Sequence, residues 1–275
     1  MPTGRPDIVE PMSDAPNGRL QVLRRQALDS PDHAGHAGHA GPGRRLVLVH
    51  GSMDRATSFT RLMARLRGWN IVAYDRRGYA GSAATGPPTT FDDQVDDLIT
   101  VLDGEGAVAF GHSFGGNVVL AAAAEHPELI RAAVVWEPPQ PWLPWWGESN
   151  AGRGLPADLE PDERAEWFMR RTVGDRVWER LPAATRAQRR SEGLTLHAEI
   201  NSLAVTAAFD PATVRVPVIV GRGGRSPVPQ RRAARELATT LPFGQLVEIA
   251  DAGHRAHLSH PAEVATLIEQ VAAST

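Results

Sequence analysis

Apolar positions along this chain come in two alternating textures. Short runs that are apolar at every position, such as Leu46-Val-Leu-Val49 and Ala107-Val-Ala-Phe110, suit strands covered on both faces. Between them lie longer stretches with helical spacing. Phe59, Leu62, Met63 and Leu66 recur through Ser58–Leu66, and Val95, Leu98, Ile99 and Leu102 line one face of Asp92–Leu102 with acids on the other. The same two patterns predict strands at Asn70–Tyr74, Ala132–Trp136, Val216–Val220 and Gln245–Ile249. They predict helices at Asn117–Glu125, Gln230–Leu241 and Ala262–Ala272. Strand and helix in alternation predict an α/β fold, a mostly parallel central sheet flanked by helices.

The alternation breaks in two places. Residues 1–43 read as an N-terminal tail and first strands: Met1–Asn17 is polar and Pro-rich, which suggests a frayed end, and Arg19–Leu28 alternates loosely like an opening strand or hairpin. In the same stretch His33-Ala-Gly-His-Ala-Gly-His-Ala-Gly41 repeats with period three. His-rich tracts can bind metal, but Gly and Ala around each His fix no geometry, so a flexible loop is expected. The second break covers residues 138–211. Prolines and Trp142, Trp145 and Trp146 come first, then two helical stretches near Asp162–Arg180 and Ala184–Leu203. This block reads as a helical cap inserted between strands of a core formed by 44–137 and 212–275. At least half of Trp142, Trp145, Trp146, Trp167, Phe168 and Trp178 should pack the cap onto the core; any that face the cleft would favour an apolar substrate.

Composition narrows the chemistry. There is no cysteine, which removes disulfides, thiolate nucleophiles and Cys-ligated metals. There is no lysine either, which removes Schiff-base and P-loop chemistry. A net charge of -3 gives no electrostatic reason to expect nucleic acid as a partner. No apolar run approaches the roughly 20 residues that cross a bilayer, and the N-terminus lacks the charged-then-apolar pattern of a secretory leader. A cytoplasmic protein with no membrane partner is expected.

The strongest local signal is Gly111-His-Ser-Phe-Gly115, a Gly-x-Ser-x-Gly sequence between a predicted strand and a predicted helix. A sharp turn there lifts the Ser113 hydroxyl above the sheet edge, and the free N–H groups of the following helix face any oxyanion that forms. His50-Gly51-Ser52 follows an earlier strand, and its glycine lets the backbone turn over the same edge. Ser52 N–H and Phe114 N–H are therefore the candidate oxyanion hole. Asp251-Ala-Gly-His254 follows the last strand and brings His254 to that edge as candidate general base, with His257 as its competitor. Asp54 is left with two readings, a pocket border or a helix cap.

These motifs together resemble the α/β-hydrolase superfamily from about Arg44 to the C-terminus. They stand in the family's order: His50-Gly51, Asp75-Arg-Arg-Gly-Tyr-Ala-Gly-Ser82, Gly111–Gly116 and Gly253-His254. In the family the second motif is a structural turn, so Arg76 or Arg77 is expected to pair with Asp75 or with backbone carbonyls. The resemblance also implies a triad acid after the strand that follows the cap, yet Gly221-Arg-Gly-Gly-Arg-Ser-Pro227 contains no carboxylate. The family's alternative position is the end of the preceding strand, which here is Glu137, with Asp251 next and Asp210 a poorer candidate. The implied activity is hydrolysis of a carboxylic ester, thioester or lactone of a small apolar substrate, with Ser113, His254 and Glu137 as triad and with no cofactor or metal. Alternatives on the same scaffold are a perhydrolase, a C–C hydrolase, or a silent protein that only binds a small ligand.

Overall fold

Leu46–Val49 is buried at every residue because its strand has partners on both sides and helices over both faces. The computed structural model describes residues 8–11, 20–27, 44–146 and 158–275. Its strands are β1 (Ile8–Pro11), β2 (Gln21–Arg25), β3 (Arg44–Val49), β4 (Trp69–Tyr74), β5 (Ala107–His112), β6 (Ile130–Trp136), β7 (Val218–Gly223) and β8 (Gly244–Ile249). They form an eight-stranded sheet in the order β1-β2-β4-β3-β5-β6-β7-β8. The pairings β1–β2 and β2–β4 are antiparallel, and every pairing from β4 onward is parallel. Parallel order puts the C-terminal ends of β3, β5, β6 and β7 on one edge, where open α/β sheets bind ligands.

Helices α1 (Thr60–Met63), α2 (Asp92–Leu102) and α3 (Phe114–Glu125) connect the first parallel strands. Between β6 and β7 the described residues form four α-helices: α4 (Pro161–Val173), α5 (Asp175–Arg180), α6 (Ala183–Ser191) and α7 (Gly193–Val205). The chain closes with α8 (Val228–Thr240), α9 (Ala256–Ser259) and α10 (Pro261–Ala272). One sheet face packs Val47, Val49, Ala133 and Val135 against Leu98, Val118 and Leu237 of α2, α3 and α8. The opposite face packs Leu46, Leu48, Phe110 and Val134 against Leu62, Leu267 and Ile268 of α1 and α10. The period-two side-chain alternation of a strand thus divides the core into two apolar layers.

The structure departs from the sequence reading at several points. A strand, β1, lies inside the segment expected to fray; its Ile8 and Val9 pair with Arg24 and Leu23, and the polar composition around them hid a backbone ladder. The helix expected over Ser58–Leu66 is a 3-10 turn, Ala56–Phe59, followed by the single turn of α1. Both long cap helices are broken. Gly174 at φ +87° separates α4 from α5, a conformation L side chains rarely adopt. Glu192 separates α6 from α7, and a Cβ on Gly193 would lie 1.8 Å from Pro161 O, so α7 begins hard against α4. The His33–Gly41 repeat and Arg153 lie outside the described residues, as do Arg19 and Leu28 at the ends of the expected first strand.

Candidate active site

The turn between β5 and α3 carries Ser113 with φ 53° and ψ -124°, a strained backbone for any residue with a Cβ. The glycines around it are required by contact. A Cβ on Gly115 would sit 2.4 Å from Val49 O and 2.5 Å from His50 O, and one on Gly111 would sit 2.6 Å from Gly116 Cα. These close approaches let α3 start directly above the sheet edge. Among the described residues the Ser113 hydroxyl has no hydrogen-bond partner, so it stands half-buried and free.

Glu137 leaves the end of β6 with φ 48°, a second strained non-glycine position on the same edge. Its buried carboxylate is held at both oxygens: Gly223 N–H donates to Oε1 at 2.7 Å, and Oε2 lies 2.8 Å from His254 Nδ1. Gly223, the last residue of β7, supplies that N–H, and the loop after it contains no acid. A Cβ on Gly223 would lie 2.3 Å from Ala252 O, so this strand end packs on the segment leading to His254. The other carboxylates lie elsewhere. Asp251 pairs with Arg225 at the surface, and Asp210 accepts from Ala212 N–H as a cap. The His254 side chain is 31 % exposed and its Nε2 is unpartnered among the described residues. Ser113 Oγ and His254 Nε2 are not hydrogen-bonded to each other here; in ligand-free enzymes such contacts are commonly long.

The loop after β3, which carries Gly51 and Ser52, lies against the elbow, since a Cβ on Gly51 would fall 2.9 Å from Ser113 Cβ. Among the described residues neither Ser52 N–H nor Phe114 N–H has an acceptor. His50 fixes the loop from behind: its Nε2 accepts from Arg76 N–H at 2.9 Å, and its Nδ1 lies 2.7 Å from Gly51 O. Burial, with the Arg76 charge adding to it, pushes the His50 imidazole down to about 3, so it is neutral in the folded protein. Arg76 Nε also donates to His50 O at 2.8 Å, as expected of this turn. Neither arginine pairs with Asp75, contrary to the first alternative. Arg77 makes a bidentate pair with Asp97 at 2.6 and 2.7 Å, and Asp75 accepts the backbone N–H groups of Ala56 and Gly81.

Comparison with known proteins settles the family. The profile of the alpha/beta hydrolase family matches residues 46–267. The chain belongs to the alpha/beta hydrolase family. Over 214 residues the hydrolase is 32% identical to a pimeloyl-(acyl-carrier protein) methyl ester esterase of Aromatoleum aromaticum, covering 70% of this chain and 84% of that one. It is 34% identical over 111 residues to a Caulobacter segnis protein named as a candidate carbamate hydrolase, a match spanning 37% of this chain and 42% of the relative's length. Its fold is shared with an alpha/beta hydrolase of Sphaerobacter thermophilus, at a TM-score of 0.68 and 24% identity over 95% of this chain and 99% of the other.

Three further residues, His112, His257 and Asp54, cluster behind the nucleophile turn. His112, beside the nucleophile, has its Nε2 2.9 Å from the main-chain oxygen of His254. It ties the elbow to the loop after β8. His257 is fully buried, with its ring centroid 4.4 Å from that of His112 and its Nε2 3.4 Å from Asp54 Oδ2. Burial alone would raise the Asp54 carboxyl, but the neighbouring His257, with His50 and His112, holds it below the usual range. Asp54 accepts from the Ser58 hydroxyl at 3.1 Å and does not cap a backbone N–H. Asp54, His112 and His257 have ligand-type atoms within 4.8 Å of one another. Two imidazoles converging on one tetrahedral ion have centroids about 5 Å apart. These rings lie closer, at 4.4 Å with their planes tilted by 53°, and His112 Nε2 is already engaged with His254 O.

The cap aromatics make packing contacts. Trp146 and Trp178 are buried, Trp142 packs edge-on against Phe209, and Trp145 Nε1 donates to Glu236 of α8. Among the described residues no helix is long and apolar enough to cross a membrane.

Proposed function

We propose that this hydrolase cleaves a carboxylic ester, thioester or lactone of a small, largely apolar substrate through an acyl-enzyme on Ser113. The observation that carries the reading is the 2.8 Å contact between Glu137 Oε2 and His254 Nδ1. It supplies a carboxylate for the base on the sheet edge that also carries the nucleophile elbow. In this mechanism Glu137 holds the Nδ1–H tautomer of His254, leaving Nε2 free to take the Ser113 proton. The Ser113 oxygen attacks the carbonyl carbon, and the oxyanion is held by Ser52 N–H and Phe114 N–H. His254 then gives its proton to the leaving alcohol, and water activated by the same imidazole releases the acid. No step calls for a metal or organic cofactor.

The Aromatoleum relative, whose name is that of an ester hydrolase, supports the bond type. The contact of Glu137 with His254 supports an enzyme over a silent binder, because it provides an acid although the loop after β7 has none.

The test is rapid-mixing kinetics on p-nitrophenyl esters from acetate to decanoate. The expected result is a burst of p-nitrophenol near one equivalent per enzyme, abolished in Ser113→Ala. Absence of turnover on every ester, thioester and lactone in such a panel, by folded protein, would reject the proposal.

A further inference from the structure

Helix α7 and the Glu192 that caps its N-terminus present three polar side chains to the core at spacings of three and four residues, which is one helical face. Glu192 accepts from Ala80 N–H at 3.0 Å, and Thr195 Oγ1 donates to Gly78 O at 3.3 Å. Those two contacts dock the helix on the turn after β4. Glu199, one turn further on, does something different. Its fully buried carboxylate reaches the oxyanion loop, where Ser52 Oγ–H donates to Oε2 at 2.5 Å across 147 positions of sequence. Tyr79 O–H donates to the same oxygen at 2.8 Å, and Gln94 Nε2 donates to Oε1 at 3.3 Å. Arg76 neutralises the charge through an ion pair with Oε1, and its own Nε is fixed on His50 O.

We propose that Glu199 is a positioning residue for the oxyanion hole: it grips the Ser52 hydroxyl and thereby aims the Ser52 N–H at the reacting carbonyl oxygen. The inference rests on the reading of Ser52 and Phe114 as the hole. Ser52 follows a glycine, and glycine restrains the orientation of the next peptide least of all residues. His50 holds the loop from one side only. The side-chain anchor on Ser52 supplies the second fixed point, and a buried carboxylate with four donors is rigid enough to serve as one. The cap then contributes to the catalytic geometry as well as to enclosure of the site.

The experiment compares Ser52→Ala, Ser52→Thr and Glu199→Gln on a p-nitrophenyl ester that the parent turns over. Complete loss of an oxyanion donor lowers kcat about 10²–10³-fold, and a donor that is present but poorly aimed should lose a part of that. Ser52→Ala keeps the N–H and the Arg76–Glu199 pair, and kcat is expected to fall about 10–100-fold with KM nearly unchanged. Ser52→Thr retains the hydroxyl and is expected to restore most of the loss. Glu199→Gln added to Ser52→Ala should cost no more than Glu199→Gln alone. If Glu199→Gln does not fold because Arg76 is left uncompensated, the two Ser52 variants decide. The proposal is overturned if Ser52→Ala has a kcat within twofold of the parent, or if KM rises while kcat holds, which would make the pair a substrate contact. Turnover that survives Ser113→Ala would instead overturn the hydrolase reading itself.

Discussion

Replacing Glu137 by Gln removes one charge from the site while keeping its shape. Oε1 can still accept from Gly223 N–H, so the new amide turns its NH2 toward His254 Nδ1. That NH2 needs an acceptor. It therefore selects the tautomer that carries the proton on Nε2, the atom that must receive the Ser113 proton. The charge loss adds to this. An imidazolium and a carboxylate with centres about 4 Å apart interact by about 4 kcal/mol at an effective dielectric near 20, which is about three decades in rate. With the tautomer penalty the expected fall in kcat approaches about 10⁴-fold, comparable to neutralising the acid of other triads. KM should change little, because Glu137 is buried behind the imidazole and does not meet substrate. Steady-state kinetics on a p-nitrophenyl ester give the split, with circular dichroism to check folding. A folded Glu137→Gln enzyme within tenfold of the parent kcat would refute the assignment of Glu137 as the acid.

Three further outcomes are expected. Ser113→Gly and Ser113→Ala should both be inactive, but the glycine variant should unfold at the higher temperature, since it relieves a positive φ worth about 1–3 kcal/mol; equal melting temperatures would contradict the strain. Gly115→Ala drives a Cβ against two backbone oxygens and should cost about 1–3 kcal/mol in urea denaturation, whereas Gly68→Ala, with nothing within 4 Å, should be near neutral. Stability should also fall on acidification. His50 is neutral when folded, with a pKa of about 3 against 6.5 unfolded, and the pKa of buried His112 is likewise depressed. Their contribution is complete above pH 6.5 and is lost as pH falls toward 3, by up to about 1.4 kcal/mol per pH unit for His50 alone. Urea midpoints at pH 7, 6, 5 and 4 test this, and a flat profile would contradict a neutral buried His50.

Much of the frame was legible because its signals are local. An apolar run such as Leu46–Val49 is short enough, and apolar enough, to mean only a doubly covered strand. The glycines beside Ser113 mark a turn in which backbone oxygens of another strand come within contact distance. Glu137 could be weighed because strand ends in a parallel sheet share an edge. What stayed hidden depends on partners distant in sequence. Glu192 and Glu199 look like the solvated face of a cap helix, and nothing within the helix shows that Arg76, Tyr79 and Ser52 wait opposite. Asp54 and His257 could be named as candidates, but their contact exists only because the loops after β3 and β8 meet. The break at Glu192 was missed for the same reason, since its carboxylate is drawn into a docking contact. The strand β1 was missed because backbone pairing leaves little trace in a polar, proline-rich stretch.

Every step of the proposed reaction requires Ser113 to be activated by His254. Incubation with a fluorophosphonate, followed by intact-mass measurement and peptide mapping, tests that directly. One adduct per chain is expected, on the peptide carrying Ser113, with none in Ser113→Ala and labelling slowed at least about 10³-fold in His254→Ala. Folded protein that takes up no adduct, carries it on another residue, or labels as fast without His254 would contradict the account.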